Sequence, residues 1–440
     1  MNGDPCENDR CPGGTRTRDG SEDQARFSGP LQRPVRGWLT GSQAVGPFYF
    51  LTYAAVAVLG QFVSVYLRDL GFSYSAIGTL AAVTAVCGAA SQSCVGAVSD
   101  VVRRRSPFIT GAALLLAGVY LAYPLARALP TFLVIHALAG VFSYTALTTA
   151  AALALDLAPM GRVSRSFASA RIWGSVGYVL AMLSIVAWPA LLEPPRMFYA
   201  GAVFYAAAGL SALAVGRDVA SGSSRAVRVT SGLALLRHPR VAALLAFCFL
   251  YWVSLQGSFS LIALFIKDLG GGRAMMAGAW IVAATIEIPF MLWLARSSDK
   301  HGRRPVLLLA SLALPLRLLL YSAVRDPRLV LPIQALHGVT FGVTAVAPLS
   351  YMNDIVSERL RASGQGILNT CLAAASAVGP LLAGALGDWM GLHRAFLGLC
   401  LPALAALVIL LAAVPESKGT GLPIGAEEEG REPLGRASRR

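Results

Sequence analysis

The sequence predicts an all-α membrane protein in which twelve transmembrane helices form two lobes of six. Composition is the first observation: 55% of the 440 residues are hydrophobic and 14% are charged, with a mean hydropathy of +0.61. Soluble domains carry about 25% charged residues. Run length is the second observation, because the apolar residues lie in stretches of about 18 to 25, long enough to cross roughly 30 Å of hydrocarbon.

The third observation is a charged segment that occurs twice. GAVSDVVRRRSP (Gly96–Pro107) follows the second apolar run, and ARSSDKHGRRP (Ala295–Pro305) follows the eighth. In each segment an aspartate, Asp100 or Asp299, comes four residues after a small residue and shortly before an arginine cluster. Nearly half the chain separates the two aspartates, so the sequence predicts a duplicated six-helix unit.

The apolar runs set the expected limits of the spans in order. Residues 41–215 are predicted to form the first lobe and residues 241–414 the second, joined by a polar, basic cytosolic linker at 216–240. The first six spans are expected at 44–67, 76–98, 107–125, 130–154, 168–191 and 196–215. The second six are expected at 241–266, 274–294, 305–323, 328–351, 366–387 and 394–414.

Polar segments precede and follow the spans. Residues 1–40 mix Asp, Glu, Arg, Gly and Pro without an apolar run, which predicts a disordered cytosolic leader rather than a signal peptide. A start assigned too early would leave the same pattern. Residues 415–440 are expected to form a cytosolic tail.

The distribution of Lys and Arg predicts the orientation in the membrane. Even-numbered connections between spans carry roughly 16 of these residues and odd-numbered ones roughly 8. Positive residues favour the cytosolic side, so both termini are expected in the cytosol and the protein in the cell membrane. The net charge of +14 lies in these connections rather than on one amphipathic element, and no nucleic-acid partner is expected.

The sequence lacks the motifs of metal sites, disulfide frameworks and ATP-driven pumps. The seven cysteines do not show the paired spacing of a metal site, so neither a metal nor a disulfide is predicted. The chain contains no G-x-x-x-x-G-K-[ST] motif, which argues against ATP-driven pumping. No cofactor is expected, and the sequence does not predict an enzyme.

The repeated charged segment resembles a motif of the major facilitator superfamily, G-x-x-x-D-x-x-G-R-[KR], which follows spans 2 and 8 there. The first copy reads Gly96, Asp100, Arg103, Arg104 and Arg105, and the second reads Ala295, Asp299, Gly302, Arg303 and Arg304. Arg103 and Ala295 stand where glycine is usual. The resemblance implies a secondary transporter that works by alternating access, with aspartate–arginine pairs as a cytosolic gate between the lobes. Positive-inside anchoring is the alternative explanation of these charges.

Three shorter stretches resemble one branch of that superfamily, the lactose permease and related sugar, nucleoside and phenylpropionate proton symporters. They are ARIWGSVGY (Ala170–Tyr178), SQSCVGAVSD (91–100, with Gln92) and QALHGVTFG (334–342). The resemblance implies that Arg171 binds the substrate and that Tyr178 stacks on it, with Trp173 and Gln334 as further substrate-binding candidates.

The partner expected for Arg171 is missing. The carboxylate that the branch carries late in span 4 is absent at its usual spacing, and Asp156 lies closer to the cytosol. A sugar is therefore less well supported as substrate, and an aromatic acid remains open. Snorkelling of Arg171 to the membrane surface is the alternative.

Three ionisable residues stand out inside the spans, where inserting a charge costs about 2.5–3.5 kcal/mol and a functional role is the first hypothesis. They are Glu287 in span 8, Arg317 in span 9 and His337 in span 10. We expect Glu287 to take up and release a proton, with Arg317 and His337 tuning its affinity.

The proton-coupling hypothesis has a counterargument in the resemblance itself. In lactose permease the coupling carboxylate follows the span 10 histidine by three residues, and Thr340 stands there in this chain. In this chain, the proton-coupling carboxylate is therefore either Glu287 of span 8 or absent. A static ion pair between spans 8, 9 and 10 is the alternative role for these residues.

The sequence thus predicts proton-coupled symport of a small organic solute, a sugar, nucleoside or aromatic acid. Proton-coupled efflux of small amphiphilic compounds is the main alternative, although span 5 lacks the interior proline of drug antiporters. A membrane-embedded transferase is a weaker one. The expected partners are the solute, protons and the lipid bilayer, and the expected state is a monomer. The substrate and the direction of transport stay open.

Overall fold

The computed structural model describes residues 41–102, 104–157, 163–215, 235–418 and 424. In the first half the helices are α1 Gly46–Leu59, α2 Phe62–Asp69, α3 Tyr74–Val102, α4 Ser106–Ala122, α5 Leu129–Asp156, α6 Val163–Ala187 and α7 Arg196–Leu213. In the second half they are α8 Pro239–Asp268, α9 Arg273–His301, α10 Arg303–Ala323, α11 Val330–Ile333, α12 His337–Ile355, α13 Arg361–Met390 and α14 Leu392–Ala413.

These helices confirm the predicted all-α membrane fold. Within the described ranges, eleven helices are long and apolar enough to cross a membrane. The eighteen-residue α7 occupies the place of the predicted sixth span, and a helix of that length rises about 27 Å. Between the described residues the only β pairing is a single bridge, from Val356 to Ile424.

Two spans are interrupted in ways that their apolar sequence does not predict. Span 1 is divided into α1 and α2 at Gly60 and Gln61. Span 10 begins with the 3-10 turn Pro327–Leu329, the one-turn α11 and a second 3-10 turn, Gln334–Leu336, before α12 starts at His337. The second interruption places His337 at the first residue of a regular helix.

The packing repeats between the two halves. In the first half, α1 packs against α6 and α7, α3 against α5, and α4 against both α5 and α7. Moving six spans along the chain gives the contacts of the second half: α8 packs against α13 and α14, α9 against α12, and α10 against both α12 and α14. The two charged segments therefore begin in the last turns of equivalent helices, α3 and α9, of equivalent six-helix units.

The halves meet along two helix pairs, α3 with α13 and α6 with α9. The α3–α13 pair is close enough that a Cβ added to Gly384 would lie 2.4 Å from the carbonyl oxygen of Tyr74. A small residue is needed there, because it lets the two backbones come into contact.

Polar contacts close this seam at the ends of the helices that carry the odd-numbered connections, the predicted outer side. The Asp388 carboxylate of α13 accepts hydrogen bonds from the backbone N–H groups of Tyr74 (2.9 Å) and Ser75 (2.8 Å), at the start of α3. Lys267 forms an ion pair with Asp69 of the other half. Asp388 thus caps a helix of the opposite half, and these contacts join the two halves on the predicted outer side.

Candidate functional site

A cavity of about 250 Å³ lies where the two halves meet. Its walls come from α1 and α6 on one side and from α8, α9 and α12 on the other. Five aromatic side chains line it: Tyr53, Tyr178, Phe259, Trp280 and Phe341. The polar and ionisable side chains in the lining, besides the tyrosine hydroxyls, are Arg171, Ser175, Glu287 and His337.

The α6 wall follows from the spacing of the R-x-W-G-x-x-G-Y stretch. Arg171, Ser175 and Tyr178 are four and three residues apart, so they share one helix face and all line the cavity. A Cβ added to Gly177 would lie 2.1 Å from the carbonyl oxygen of Phe50. Glycine at this position therefore brings α6 into backbone contact with α1.

That close packing places Arg171 against Tyr53 of α1. The Arg171 guanidinium carbon lies 4.4 Å from the centre of the Tyr53 ring, within the range of cation–π attraction. A Cβ added to Gly174 would lie 2.8 Å from the Tyr53 ring, so this glycine leaves room for the pair. Among the described residues no carboxylate lies within 4 Å of Arg171.

The opposite wall holds a titratable pair. Nε2 of His337 lies 3.6 Å from a carboxylate oxygen of Glu287, beyond hydrogen-bond distance but close enough that a shift of less than an ångström closes the gap. His337 is 4% exposed and stacks on Phe341, with ring centres 5.3 Å apart. Its Nδ1 has no hydrogen-bond partner among the described residues. The Glu287 side chain is 25% exposed and reaches the cavity.

Arg317 lies behind this wall rather than in it. Its side chain is fully buried and donates hydrogen bonds to Thr340 Oγ1 (3.1 Å), the Tyr321 hydroxyl (3.2 Å) and Gln334 Oε1. The ring of Phe259 is 5.6 Å from the guanidinium and 5.0 Å from the His337 ring. Phe259 therefore lies between Arg317 and the His337 ring, and Arg317 forms no ion pair with Glu287.

Two predicted substrate-binding residues lie outside the cavity lining. Gln334 is completely buried and accepts hydrogen bonds from Arg317 and from Tyr321 (3.0 Å). Trp173 is 45% exposed, and its indole lies beside Gly46 at the start of α1. Their substrate-binding role stays a prediction, whereas Arg171 and Tyr178 share one cavity with Glu287 and His337.

The second copy of the charged motif forms a cluster within its own half. Arg303 Nη1 lies 2.6 Å from Asp299, and Arg303 Nε lies 3.0 Å from Asp354 at the end of α12. Gly302 has φ +101°, a conformation that favours glycine, and it separates α9 from α10. Arg304 donates to the carbonyl oxygen of Leu411, which is 2.8 Å away.

Glu416, beyond the last span, completes this cluster. Its carboxylate accepts hydrogen bonds from the backbone N–H groups of Arg303 (2.8 Å) and Arg304 (3.0 Å), the first residues of α10. Partial burial raises the pKa of Glu416, but these and other backbone N–H donors outweigh it and hold the pKa below its usual value. The residues just after α14 are thereby tied to the charged motif.

The first copy is described only in part. Arg103 lies outside the described residues, and so do the side chain of Asp100 and the surroundings of Gly96, although the backbone of both residues belongs to α3. Arg104 is exposed, and Arg105 forms an ion pair with Asp156 of α5 at 2.6 Å. The described ion pairs of both motifs thus connect helices of one half, and a gate across the halves stays a prediction.

Several residues of the site carried no usable signal in the sequence. Tyr53, Phe259 and Trp280 lie in spans that are apolar on every side, so periodicity cannot separate a cavity face from a lipid face. Phe341 is one helical turn after His337 and was present in the quoted QALHGVTFG stretch. Asp388 and Asp354 acquire their partners only when helices distant in sequence pack together.

The fold and its central cavity define a polytopic membrane transporter. The chain belongs to the MFS_1-like family, whose model matches residues 44–398. This confirms the prediction of a major facilitator superfamily transporter, a class of proteins that are not enzymes. A small-molecule substrate and embedding in the membrane follow from that membership.

Similar proteins agree with this assignment. The chain is 28% identical to a maltose permease of Geobacillus stearothermophilus over 345 residues, which is 78% of this chain and 84% of that protein. It is 25% identical to an uncharacterised MFS-type transporter of Mycobacterium tuberculosis (strain ATCC 25618 / H37Rv) over 382 residues, 82% of this chain and 89% of that one.

Among solved structures, a nucleoside transporter NupG (D323A mutant) superposes with a TM-score of 0.78. The match covers 85% of this chain and 100% of that one at 17% sequence identity. A bacterial homologue of the human lysosomal transporter Spinster, in an inward-facing and occupied conformation, superposes with a TM-score of 0.69 at 13% identity, covering 84% of this chain and 95% of that one. At such identities these structures show a shared fold.

Proposed function

We propose that this protein carries a small organic solute across the cell membrane together with a proton, by alternating access. The observation that carries the proposal is the cavity between the halves, in which Arg171 and Tyr178 face the titratable pair Glu287 and His337. Relatives named as a maltose permease and a nucleoside transporter support a solute of that size range.

Glu287 is the proton carrier in this proposal, and His337 is its immediate partner. An ionised carboxylate is costly inside the membrane, so Glu287 is most easily carried through the closed state as the neutral acid. Once the site opens to the other side, water reaches the carboxyl group and accepts its proton. The 3.6 Å contact between Glu287 and His337 is the contact that we expect to change between the two states.

The conformational change separates the halves at one end and joins them at the other. In this structure the Asp388 cap and the Lys267–Asp69 pair close the predicted outer side. We propose that the two charged motifs act at the opposite end, where Asp100, Arg103 and Arg104 meet Asp299, Gly302, Arg303 and Arg304 in the alternate state. Asp299→Asn is expected to slow transport while leaving substrate affinity unchanged, measured as maximal rate against KM.

De-energised cells that carry the protein test the proposal when a pH probe is placed in a lightly buffered medium. Sugars, nucleosides and aromatic acids are added one at a time. We expect external alkalinisation with one solute class, lost in Glu287→Gln and retained in Glu193→Gln, since Glu193 is an exposed carboxylate of the connection before α7. Solute entry without any proton movement would refute coupling.

We also propose that both termini are cytosolic and that the protein acts as a monomer. A variant whose only cysteine is Cys6 tests the first point. A membrane-impermeant thiol reagent should label it in inverted vesicles and leave it unlabelled in intact cells, and the reverse pattern would invert the topology. The mass of the detergent-solubilised protein, measured by light scattering, tests the second.

A further inference from the structure

Arg171 is a permanent charge in the cavity without an acidic partner. An arginine cannot be deprotonated in a protein, and a charge in a low-dielectric site is costly unless it is paired. Its guanidinium lies against Tyr53, both over the ring and in a side-chain hydrogen bond. Arg171 is exposed and lines the cavity, so we expect its remaining N–H donors to be accessible to a solute there.

Glu287, on the other wall of the cavity, does not form an ion pair with Arg171. Glu287 lies against His337, and the ion pairs of the described chain place no carboxylate within 4 Å of Arg171. A guanidinium binds a planar carboxylate or a similar anion through two parallel hydrogen bonds. The group that best complements Arg171 is therefore an anion on the solute.

The rest of the lining selects the body of the solute. Rings from both halves face the cavity, and between them lie the small apolar side chains of Val56, Val179, Ala283 and Ala284. Ser175 adds one hydroxyl. A polyhydroxylated sugar would leave many of its hydroxyls without partners in such a lining, which costs affinity, whereas an aromatic or apolar body is well matched.

We infer that the transported solute is a small monoanion with an aromatic or apolar body, whose anionic group binds Arg171. This inference rests on the proposed proton symport and specifies its substrate class. The solute contributes one negative charge and the proton one positive charge, so the loaded carrier moves no net charge. Movement of the carrier with solute and proton bound is then driven by a pH gradient and is insensitive to membrane potential.

Ligand binding to the purified full-length protein gives the first test. Benzoate, phenylpropionate and benzenesulfonate are compared with benzamide, maltose and uridine by their effect on the unfolding temperature, since a ligand that binds the native state raises it. We expect at least one of the anions to raise the unfolding temperature and benzamide to leave it unchanged. The inference is overturned if none of the anions raises the unfolding temperature, or if the uncharged compounds raise it as much as the anions do.

Variants then assign the anion to Arg171. Arg171→Gln removes a charge-assisted hydrogen bond and should weaken binding of the effective anion about ten- to a hundredfold. Arg171→Lys should recover part of that loss, because it keeps the charge without the fork. Arg196→Gln is the matched control, since Arg196 is exposed at the start of α7 and pairs with Glu193. Equal affinity in Arg171→Gln and wild type contradicts the assignment.

Proteoliposomes separate this inference from the function on which it rests. Uptake of the effective anion should follow an imposed pH gradient and ignore a potassium diffusion potential. A sugar or nucleoside that enters with a proton, at a rate that depends on the potential, would overturn the anionic substrate and leave symport intact. Anion uptake that ignores the pH gradient would overturn symport and leave the substrate class standing.

Discussion

The two arginines that lie inside membrane spans have opposite surroundings. Arg317 is fully buried in the second half and donates to three neutral acceptors, Gln334, Thr340 and Tyr321. Arg171 lines the cavity and rests on the ring of Tyr53. Neither has a carboxylate within 4 Å among the described residues. We infer that Arg317 is structural, because three acceptors are built around it, and that Arg171, which has only Tyr53 beside it among the described residues, is available to a ligand.

The largest expected effect tests the structural side of this comparison. Arg317→Gln leaves buried polar partners unsatisfied, each at a cost of about 1–3 kcal/mol. We expect a clear fall in the unfolding temperature and in the yield of folded protein in detergent. Arg171→Gln, in the same assay without ligand, should unfold near the wild-type temperature. If Arg317→Gln were as stable as wild type and Arg171→Gln were destabilised, Arg171 and not Arg317 would be the structural arginine.

Lysine substitutions sharpen the same contrast. Lysine keeps the charge and loses the planar fork of donors. Arg171→Lys should therefore weaken substrate binding about tenfold with little change in unfolding temperature. Arg317→Lys should lower the unfolding temperature, because one ammonium cannot reach all three acceptors. Substrate affinity and unfolding temperature are measured for both lysine variants. If both variants lost the same amount of affinity and of unfolding temperature, the distinct roles of Arg171 and Arg317 would be contradicted.

The packing that holds Arg171 in place can be tested at Gly177. A methyl group there would lie 2.1 Å from the Phe50 carbonyl oxygen, and overpacking of this kind costs about 1–3 kcal/mol. Gly177→Ala should weaken substrate binding as well as stability, because α6 must shift. The control is Gly118→Ala in α4, where an added Cβ meets nothing within 4 Å. Equal behaviour of the two alanine variants would show that α6 is free to move.

The smallest expected effect concerns the seam that closes the cavity. Asp388 caps α3 of the other half, and a helix cap contributes about 0.5–2 kcal/mol. Asp388→Asn keeps one acceptor and loses the charge, so the outward-open state should become a few-fold more populated. Labelling of Ser175→Cys by an impermeant thiol reagent in intact cells measures that population. Labelling that does not change would mean that other contacts close the outer side.

Sequence reasoning reached the fold well and the site in part. The spans followed from apolar run length, and the repeat followed from the two charged segments, both of which are local signals. Charge or a short motif distinguishes four site residues within their apolar spans, so the sequence could identify them: Arg171, Tyr178, Glu287 and His337. The structure brings these four to one cavity.

The remaining features depend on packing that the sequence does not encode locally. Gln334 and Arg317 were predicted at the site, yet their hydrogen bonds to each other place them behind it. In a span with apolar residues on every side, nothing marks Phe259 or Trp280 as facing a cavity rather than lipid. The break at Gly60 likewise has no counterpart in the hydropathy of span 1.

The most direct test of proton coupling compares accumulation with exchange in proteoliposomes of wild type and Glu287→Gln. Uphill accumulation needs proton uptake and release at Glu287, whereas exchange of external for internal solute needs only alternating access. We predict that Glu287→Gln loses accumulation driven by an imposed pH gradient while it keeps solute exchange. Accumulation at the wild-type level in Glu287→Gln would contradict the account, because the proton would then travel without this carboxylate.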